Sequence, residues 1–375
     1  MPKPVISIVT KARATYFKPL YEAFAKAQPA PWRTAMLWPE HYRNEHPDEL
    51  VVPQGDNFDV IPVRTGGSSN SATSTRFLPS RDAIAKLAQC APSAMLIHEF
   101  PLFSVQALVY AKWHRVPVAV SSEVGKSNAH LFSASTRLWH SFWGKWVDGI
   151  AAFSPSGLAP LSGRTIPMTT TFHAIDSRSY LPVERQDTTG SPLVFAYLGQ
   201  LIHRKGLDLW LEAARVLRDS GFTHFKLRII GGGDETWLRS HITRTGMDDH
   251  VEITGFKSGE SLRTALGTSD VFVLPTRHDN YAAVVHEAAC LGLPLLVSQF
   301  AGAASVLVKN DLNGYIIDPS DPQSFAARMH DFSSPEKRNA MGRASRQIGE
   351  SMSAHVQGAN LWNWFDQTFH LTSPA

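Results

Sequence analysis

Cysteine is almost missing from this chain: Cys90 and Cys290 are the two present in 375 residues, far apart and without CxxC or Cys/His ligand spacing. That excludes a disulfide framework and a structural zinc site, and it points to a reducing compartment. Long apolar runs are missing too, since none reaches the roughly 18 to 20 residues that a spanning helix needs. The amino terminus, MPKPVISIVTKARATYF, breaks its short apolar run with Lys11 and Arg13. No signal peptide is therefore expected, and the expected location is cytoplasmic, at most peripheral on the inner face of a membrane. An excess of charge is likewise absent. Lysine and arginine number 36 against 33 acids, a net charge of +3, too little to argue for a nucleic-acid partner yet compatible with anionic ligands or an anionic lipid surface. Nor is there an Asp-x-Asp run in a loop suited to a divalent cation; Asp248-Asp249 reads as a turn. Neither a metal nor a bound cofactor is expected.

What is present is an ordinary globular composition, 43% hydrophobic and 18% charged, over a length sufficient for two cores. Short apolar runs alternate with amphipathic stretches: VISIVT (5–10), TYFKPLYEAFAKA (15–27), TAMLW (34–38), AMLIHE (94–99), VPVAVSSE (116–123) and GIAAFS (149–154). Runs that are apolar throughout indicate parallel strands covered on both faces, hence a doubly wound α/β domain. A polar, proline-containing stretch at 176–192 reads as a linker. Beyond it the pattern repeats from LVFAYLG (193–199) to PLLVSQ (294–299). The expected organisation is an amino-terminal domain over 1–180, a second over 190–352, and a final helix over 353–375 that packs back on the first. GGSSNSATSTRF (66–77) reads as a mobile or a plain solvated loop.

Ligands of open α/β sheets bind beyond the carboxyl ends of the strands, so the loops at 199–206, 231–234, 256–259 and 276–283 should line one crevice. GQLIHRKG (199–206) sets Arg204 and Lys205 just before a helix, an arrangement suited to a diphosphate or to a solvated basic turn. IIGGGDE (229–235) puts Gly231, Gly232 and Gly233 at a strand end, where a bare backbone admits a ligand or makes a tight turn. TRHDNYAAVVHEAACLG (276–292) spaces Asp279 and Glu287 eight residues apart. Glu287 stands in an apolar stretch and needs a partner. In the first half, LIHEF (96–100) ends a strand on His98, which as a lone residue fits a structural role as well as a catalytic one. STRLWHSFWGKWVDG (135–149) fits either a core helix or one lying in a membrane interface.

Together these stretches resemble the retaining glycosyltransferases of family 4, within the glycosyl transferases group 1. The resemblance is strongest over 193–330 and looser before it. GQLIHRKG resembles the family's GR…KG turn, IIGGGD its Gly-rich strand end, Asp279-x7-Glu287 followed by AACLGLP its E-x7-E segment, and AGAASVLVKNDLNGYIIDPSD (301–321) the stretch that follows. FHAIDSRSYLP (172–182) resembles the NG-x-D…F-x-P run leading into the linker.

The resemblance implies a GT-B fold, two Rossmann-like domains facing across a cleft, acceptor-binding first and nucleotide-sugar-binding second. It implies transfer of a hexose-type sugar from a nucleoside-diphosphate donor to a saccharide or lipid-linked saccharide, with retention, in surface polysaccharide, lipopolysaccharide or glycolipid synthesis. By the same mapping His98 contacts the transferred sugar, and Lys205 neutralises the diphosphate with Arg204 and Gln200 beside it. Glu287 holds the ribose, while Asp279 and the backbone of Asn280, Tyr281 and Ala282 hold the sugar and phosphates. Gly231 to Gly233 allow close approach, and Phe256 and Lys257 face the base. The chain departs from the pattern at Gln200, where the family has Arg, and at Asp279, where it has Glu. Two rival readings stay open: a nucleotide-sugar epimerase or phosphorylase on the same architecture, and a binding subunit without turnover.

Overall fold

Strands that are apolar on both sides persist only where helices cover both faces of their sheet, and this requirement shapes the whole chain. The computed structural model describes residues 3–10, 17–39, 55–64, 79–122, 124, 132–153, 155–158, 163–183, 190–279 and 281–372. They fall into two units, Met1–Ala174 with Ala354–Ala375, and Ile175–Ser353. The first contains β1 (Val5–Val9), α1 (Lys18–Ala27), β2 (Arg33–Pro39), β3 (Phe58–Val63), α2 (Ala83–Cys90), β4 (Ala94–His98), α3 (Leu102–Trp113), β5 (Val118–Ser121), α4 (Ala134–Trp143), β6 (Gly149–Ala152) and β7 (Met168–Thr170). Its seven strands run parallel in the order β3-β2-β1-β4-β5-β6-β7. Alternate residues of each strand feed opposite cores: Ile6 and Ile8 join Phe24, Leu361 and Phe365 on one face, while Val9 and Ile97 join Leu87 and Leu108 on the other.

The second unit contains β8 (Leu193–Leu198), α5 (Leu207–Asp219), β9 (Phe225–Ile230), α6 (Glu235–Thr245), β10 (Val251–Gly255), α7 (Gly259–Gly267), β11 (Val271–Leu274), α8 (Ala283–Cys290), β12 (Leu295–Ser298), α9 (Ala304–Leu307), β13 (Gly314–Ile317), α10 (Pro322–His330) and α11 (Pro335–Ser351). Its strands are parallel in the order β10-β9-β8-β11-β12-β13. The last helix, α12 (Ala354–Phe369), groups with the first unit and packs along α1.

Both units are thus Rossmann-like α/β folds. In each, strand order reverses between the first strand and the fourth, at β1/β4 and at β8/β11. The loops leaving those neighbouring strands diverge to opposite faces and open a crevice at the carboxyl edge. No helix among the described residues is long and apolar enough to cross a membrane.

Candidate functional site

At the β8/β11 switch point the glycine-containing loops 199–206 and 231–233 and the end of β11 come into close backbone contact. Gly206, with φ +72°, ends the basic turn at 203–205 and precedes α5; a Cβ there would lie 2.0 Å from the Pro275 carbonyl oxygen. Gly231, with φ +149°, is held so close to the β8 end that a Cβ would fall 1.8 Å from the Gly199 oxygen. Side chains at these two positions would force the loops apart. Gly233 likewise lies against the Leu201 backbone, whereas Gly232 meets no atom nearer than the Phe256 Cβ at 4.0 Å. The three glycines assigned above to ligand approach therefore have different uses: Gly231 and Gly233 seat the neighbouring loop, and Gly232 has open space beside it.

This packing delivers the charged residues to one place. Lys205 is buried in the basic turn, and its Nζ lies 2.6 Å from Asp279 Oδ2. Arg204, exposed, donates from Nη1 to the His278 carbonyl at 2.7 Å and lies 3.6 Å from Asp279. Arg277 stitches the arrangement from behind. Its guanidinium grips Asp208 in bidentate fashion at 2.8 and 2.7 Å and also donates to the His203 carbonyl at 2.7 Å. Burial works to raise the Asp208 carboxyl, yet the Arg277 hydrogen bonds prevail and hold it below its ordinary value. Tyr197 braces the same loop by donating to the Gln200 carbonyl at 2.8 Å. The Gln200 side chain is exposed.

The segment leading into α8 is fixed by the loop after β12: Asp279 N–H donates to Phe300 O at 3.0 Å, and Ala303 N–H donates to Tyr281 O at 2.7 Å. Ala282, at φ +69°, turns the chain into the helix. Asn280 lies outside the described residues. Free amides of a first helical turn favour an anion, and here they stand beside Lys205 and Arg204. Glu287, further along α8, is partly buried, and burial pushes its carboxyl up to about 7 although a hydrogen bond from Tyr180 works the other way. Phe256 is exposed beside the glycine turn, and Lys257 lines a groove of about 830 Å³ with Thr254 and Glu260.

His98 ends β4 at the switch point of the first sheet, and its side chain has no exposed surface. Tyr21 bonds its Nε2, and Phe17 and Phe153 pack edge-on to the ring at 4.6 and 5.5 Å. A ligand would have to displace Tyr21 to reach it. The next residue, Glu99, is buried with Oε2 3.3 Å from His140 of α4. The same helix donates from Trp139 Nε1 to Phe100 O at 2.6 Å, and Trp139 and Trp143 pack on the core. Leu138, Phe142 and Trp146, four residues apart, remain exposed. The aromatic segment thus has one core face and one bare face.

Sequence reading missed Tyr180, Arg277 and Tyr197. Arg277 sits in the quoted TRHD run, yet only its distance to Asp208, 69 positions earlier, reveals its use. Among the described residues no three His, Cys, Asp or Glu side chains gather as a metal site.

Residues 184–348 match the family model described as glycosyl transferases group 1. The amylovoran biosynthesis glycosyltransferase AmsK of Erwinia amylovora is 30% identical over 149 residues, covering 38% of this chain and 36% of AmsK. The GDP-mannose-dependent alpha-mannosyltransferase of Corynebacterium glutamicum is 26% identical over 204 residues, 51% of this chain and 46% of that protein. The matches span between a third and a half of these curated relatives. Across nearly the whole chain, the structure of Anabaena HepE in complex with UDP superposes with a TM-score of 0.72 at 14% identity, covering 96% of this chain and 99% of HepE. That likeness establishes a common fold.

Proposed function

We propose, on the premise that residues 184–348 are a glycosyl transferases group 1 domain, that this chain moves a hexose-type sugar from a nucleoside-diphosphate donor to an acceptor hydroxyl with retention. The product would belong to a surface polysaccharide, lipopolysaccharide or glycolipid. The observation that carries this reading is the meeting of Lys205, Arg204, Asp279 and the amino terminus of α8 at the switch point of the second sheet.

The main barrier in such a transfer is charge developing on the leaving diphosphate and on the sugar ring. Without a donor, the Lys205 ammonium is neutralised by Asp279. A diphosphate arriving at the α8 amino terminus would compete for that ammonium and leave the Asp279 carboxylate facing the positive sugar ring. Side-chain cations and backbone amides would thereby replace a metal. Glu287 would take the ribose hydroxyls, and Gly232 with Phe256 the base. Acceptor binding falls to the first unit, with His98 as support for its core rather than as a sugar contact.

UDP-, GDP-, ADP- and CMP-sugars screened by thermal shift, with and without EDTA, test the reading. One donor class should raise the midpoint of the intact protein, reflecting the roughly 2 to 3 kcal/mol of stabilisation that a ligand at about a hundredfold over Kd supplies. Lys205→Ala should lose most of that gain, and EDTA should change neither result. No response to any donor would overturn the proposal, and binding without turnover would favour the degenerate subunit.

Peripheral attachment to an anionic membrane would use the bare face of α4, where Leu138, Phe142 and Trp146 stand beside exposed Lys145 and Arg164. Co-sedimentation with anionic vesicles should fall for Leu138→Ser with Phe142→Ser and leave the fold intact. Equal recovery of both proteins would remove the membrane from the account.

A further inference from the structure

Helix α4 is short and lightly seated. Thr136 alone of its ten residues is buried, and an isolated helix of that length is marginal in water. Beyond the packing of Trp139 and Trp143 on the core, it is held by a clasp on the chain just past β4. Trp139 Nε1 donates to Phe100 O at 2.6 Å, and His140 Nδ1 lies 3.3 Å from Glu99 Oε2, which also accepts from Ser122 Oγ at 3.2 Å. Glu99 needs that grip. It stands at φ +49°, a left-handed conformation that a residue with a Cβ keeps only where its surroundings impose it.

The outer face of α4 is continued by α3. Leu138, Phe142 and Trp146 are exposed at four-residue spacing, and so are Val109 and Trp113 of α3, the latter by 84%. Lys112, beside Trp113, pairs at 2.7 Å with Asp148, two residues beyond Trp146, so the carboxyl ends of the two helices are neighbours. Five large apolar side chains left bare on adjoining helices exceed the scattered exposures usual on a monomer. The charge around them has one sign: residues 102–147 contain Lys112, Arg115, Lys126, Arg137 and Lys145 against the single acid Glu123. A second copy of the chain would set these cations against themselves, whereas an anionic bilayer takes both the apolar rows and the charge.

We propose that α4 couples bilayer contact to the carboxyl edge of the first sheet: together with α3 it docks on an anionic lipid surface, and docking tightens its clasp on Glu99 and Phe100. This rests on the membrane reading above and adds to it a second helix and a consequence for the end of β4. Burying Leu138 and Phe142 in lipid stabilises the helix, and Trp139 and His140, on the same helix, share that gain.

Hydrogen exchange of the intact chain, followed by mass spectrometry, is to be compared without lipid, with phosphatidylcholine vesicles, and with vesicles of phosphatidylglycerol and phosphatidylcholine. The anionic vesicles should slow exchange over 109–113 and 134–146. They should also slow it about fivefold over 98–100, where the Glu99 N–H donates to Ser121 O at 3.0 Å, a factor that corresponds to about one hydrogen bond. Trp139→Phe keeps a ring without its donor, and His140→Phe keeps a ring against Phe100 without its nitrogen. Both should retain the lipid-induced protection of α4 and lose the response over 98–100, with unaltered protection of β5 and β8 showing that each is folded. No protection over α3 and α4 in the intact chain would sink the membrane reading and the coupling with it. Protection there without a response over 98–100, or a full response in both variants, would overturn the coupling and leave docking standing. Equal protection by neutral vesicles would remove the anionic surface. Trp113→Ser should lose part of the vesicle binding, and undiminished binding would remove α3 from the docking face.

Discussion

At the scale of single residues, Glu287 couples function to stability with opposite signs. Its carboxyl titrates near 7 in the folded chain against 4.5 for an unperturbed glutamate. The folded state therefore holds this proton through a window in which the unfolded state has released it. Stability must fall as pH rises from about 4.5 to 7 and stay reduced above that. Glu287→Gln removes the buried charge and keeps a hydrogen-bonding side chain. At pH 8 it should unfold at a higher denaturant concentration than the intact protein, by about 2 to 3 kcal/mol, with the difference vanishing near pH 4. Chemical denaturation at the two pH values measures it, and equal stability at pH 8 would show that the carboxylate is better solvated than its surroundings suggest. The residues of this site were legible in proportion to how local their evidence is. Lys205, Asp279 and Glu287 sit in short runs whose spacing carries meaning. Tyr180 and Glu287 are 107 positions apart, and His98 is bonded by Tyr21, 77 positions away. No pattern along the chain could have shown either pairing.

At the scale of elements, the loops at the carboxyl edge of the second sheet form one stitched unit. The Arg277 fork joins the β11 end to both the basic turn and the first turn of α5. Two further hydrogen bonds run beside it, Arg277 N–H to Arg204 O at 2.9 Å and the Thr276 hydroxyl Oγ1 to the same oxygen at 3.1 Å. Cutting the fork frees Lys205 without touching it. Arg277→Ala should cost about 1 to 3 kcal/mol of stability and weaken donor binding, while Arg277→Lys, which keeps the charge but not the planar fork, should recover only part of both. Full recovery by lysine would mean that charge alone matters there. Strands that are apolar throughout, such as β1, β4 and β8, were readable because burial on both faces leaves a simple signature. Edge strand β3 was not, for Asp59 and Pro62 interrupt its run and its outer side has no partner among the described strands. Strand order in the sheets is a matter of long-range pairing, and the sequence pattern carries it only through the family resemblance.

At the scale of the whole molecule, the first unit is completed by residues from the far end of the chain. Trp362 and Phe365 of α12 face Trp32 and Phe24 with ring centres 5.5 and 5.7 Å apart. All four side chains are buried in the core that also receives Ile6 and Leu96 from the sheet. The two helices approach closely at Gly358, where a Cβ would fall 2.5 Å from the Phe24 backbone nitrogen and 2.6 Å from the Ala23 carbonyl carbon. Backbone cannot yield as a side chain can, so a branched residue there must push α12 off α1. Gly358→Val is expected to destabilise the first unit by about 1 to 3 kcal/mol through this overpacking, with a further share for each aromatic that loses its contact. Because the second unit has its own core, the loss should be confined. Hydrogen exchange followed by mass spectrometry should show faster exchange in α1, α12 and β1, and unchanged protection in β8, α5 and β11. Faster exchange in both sets of elements would mean instead that the two cores unfold as one cooperative body, with the carboxyl-terminal helix stabilising the entire chain.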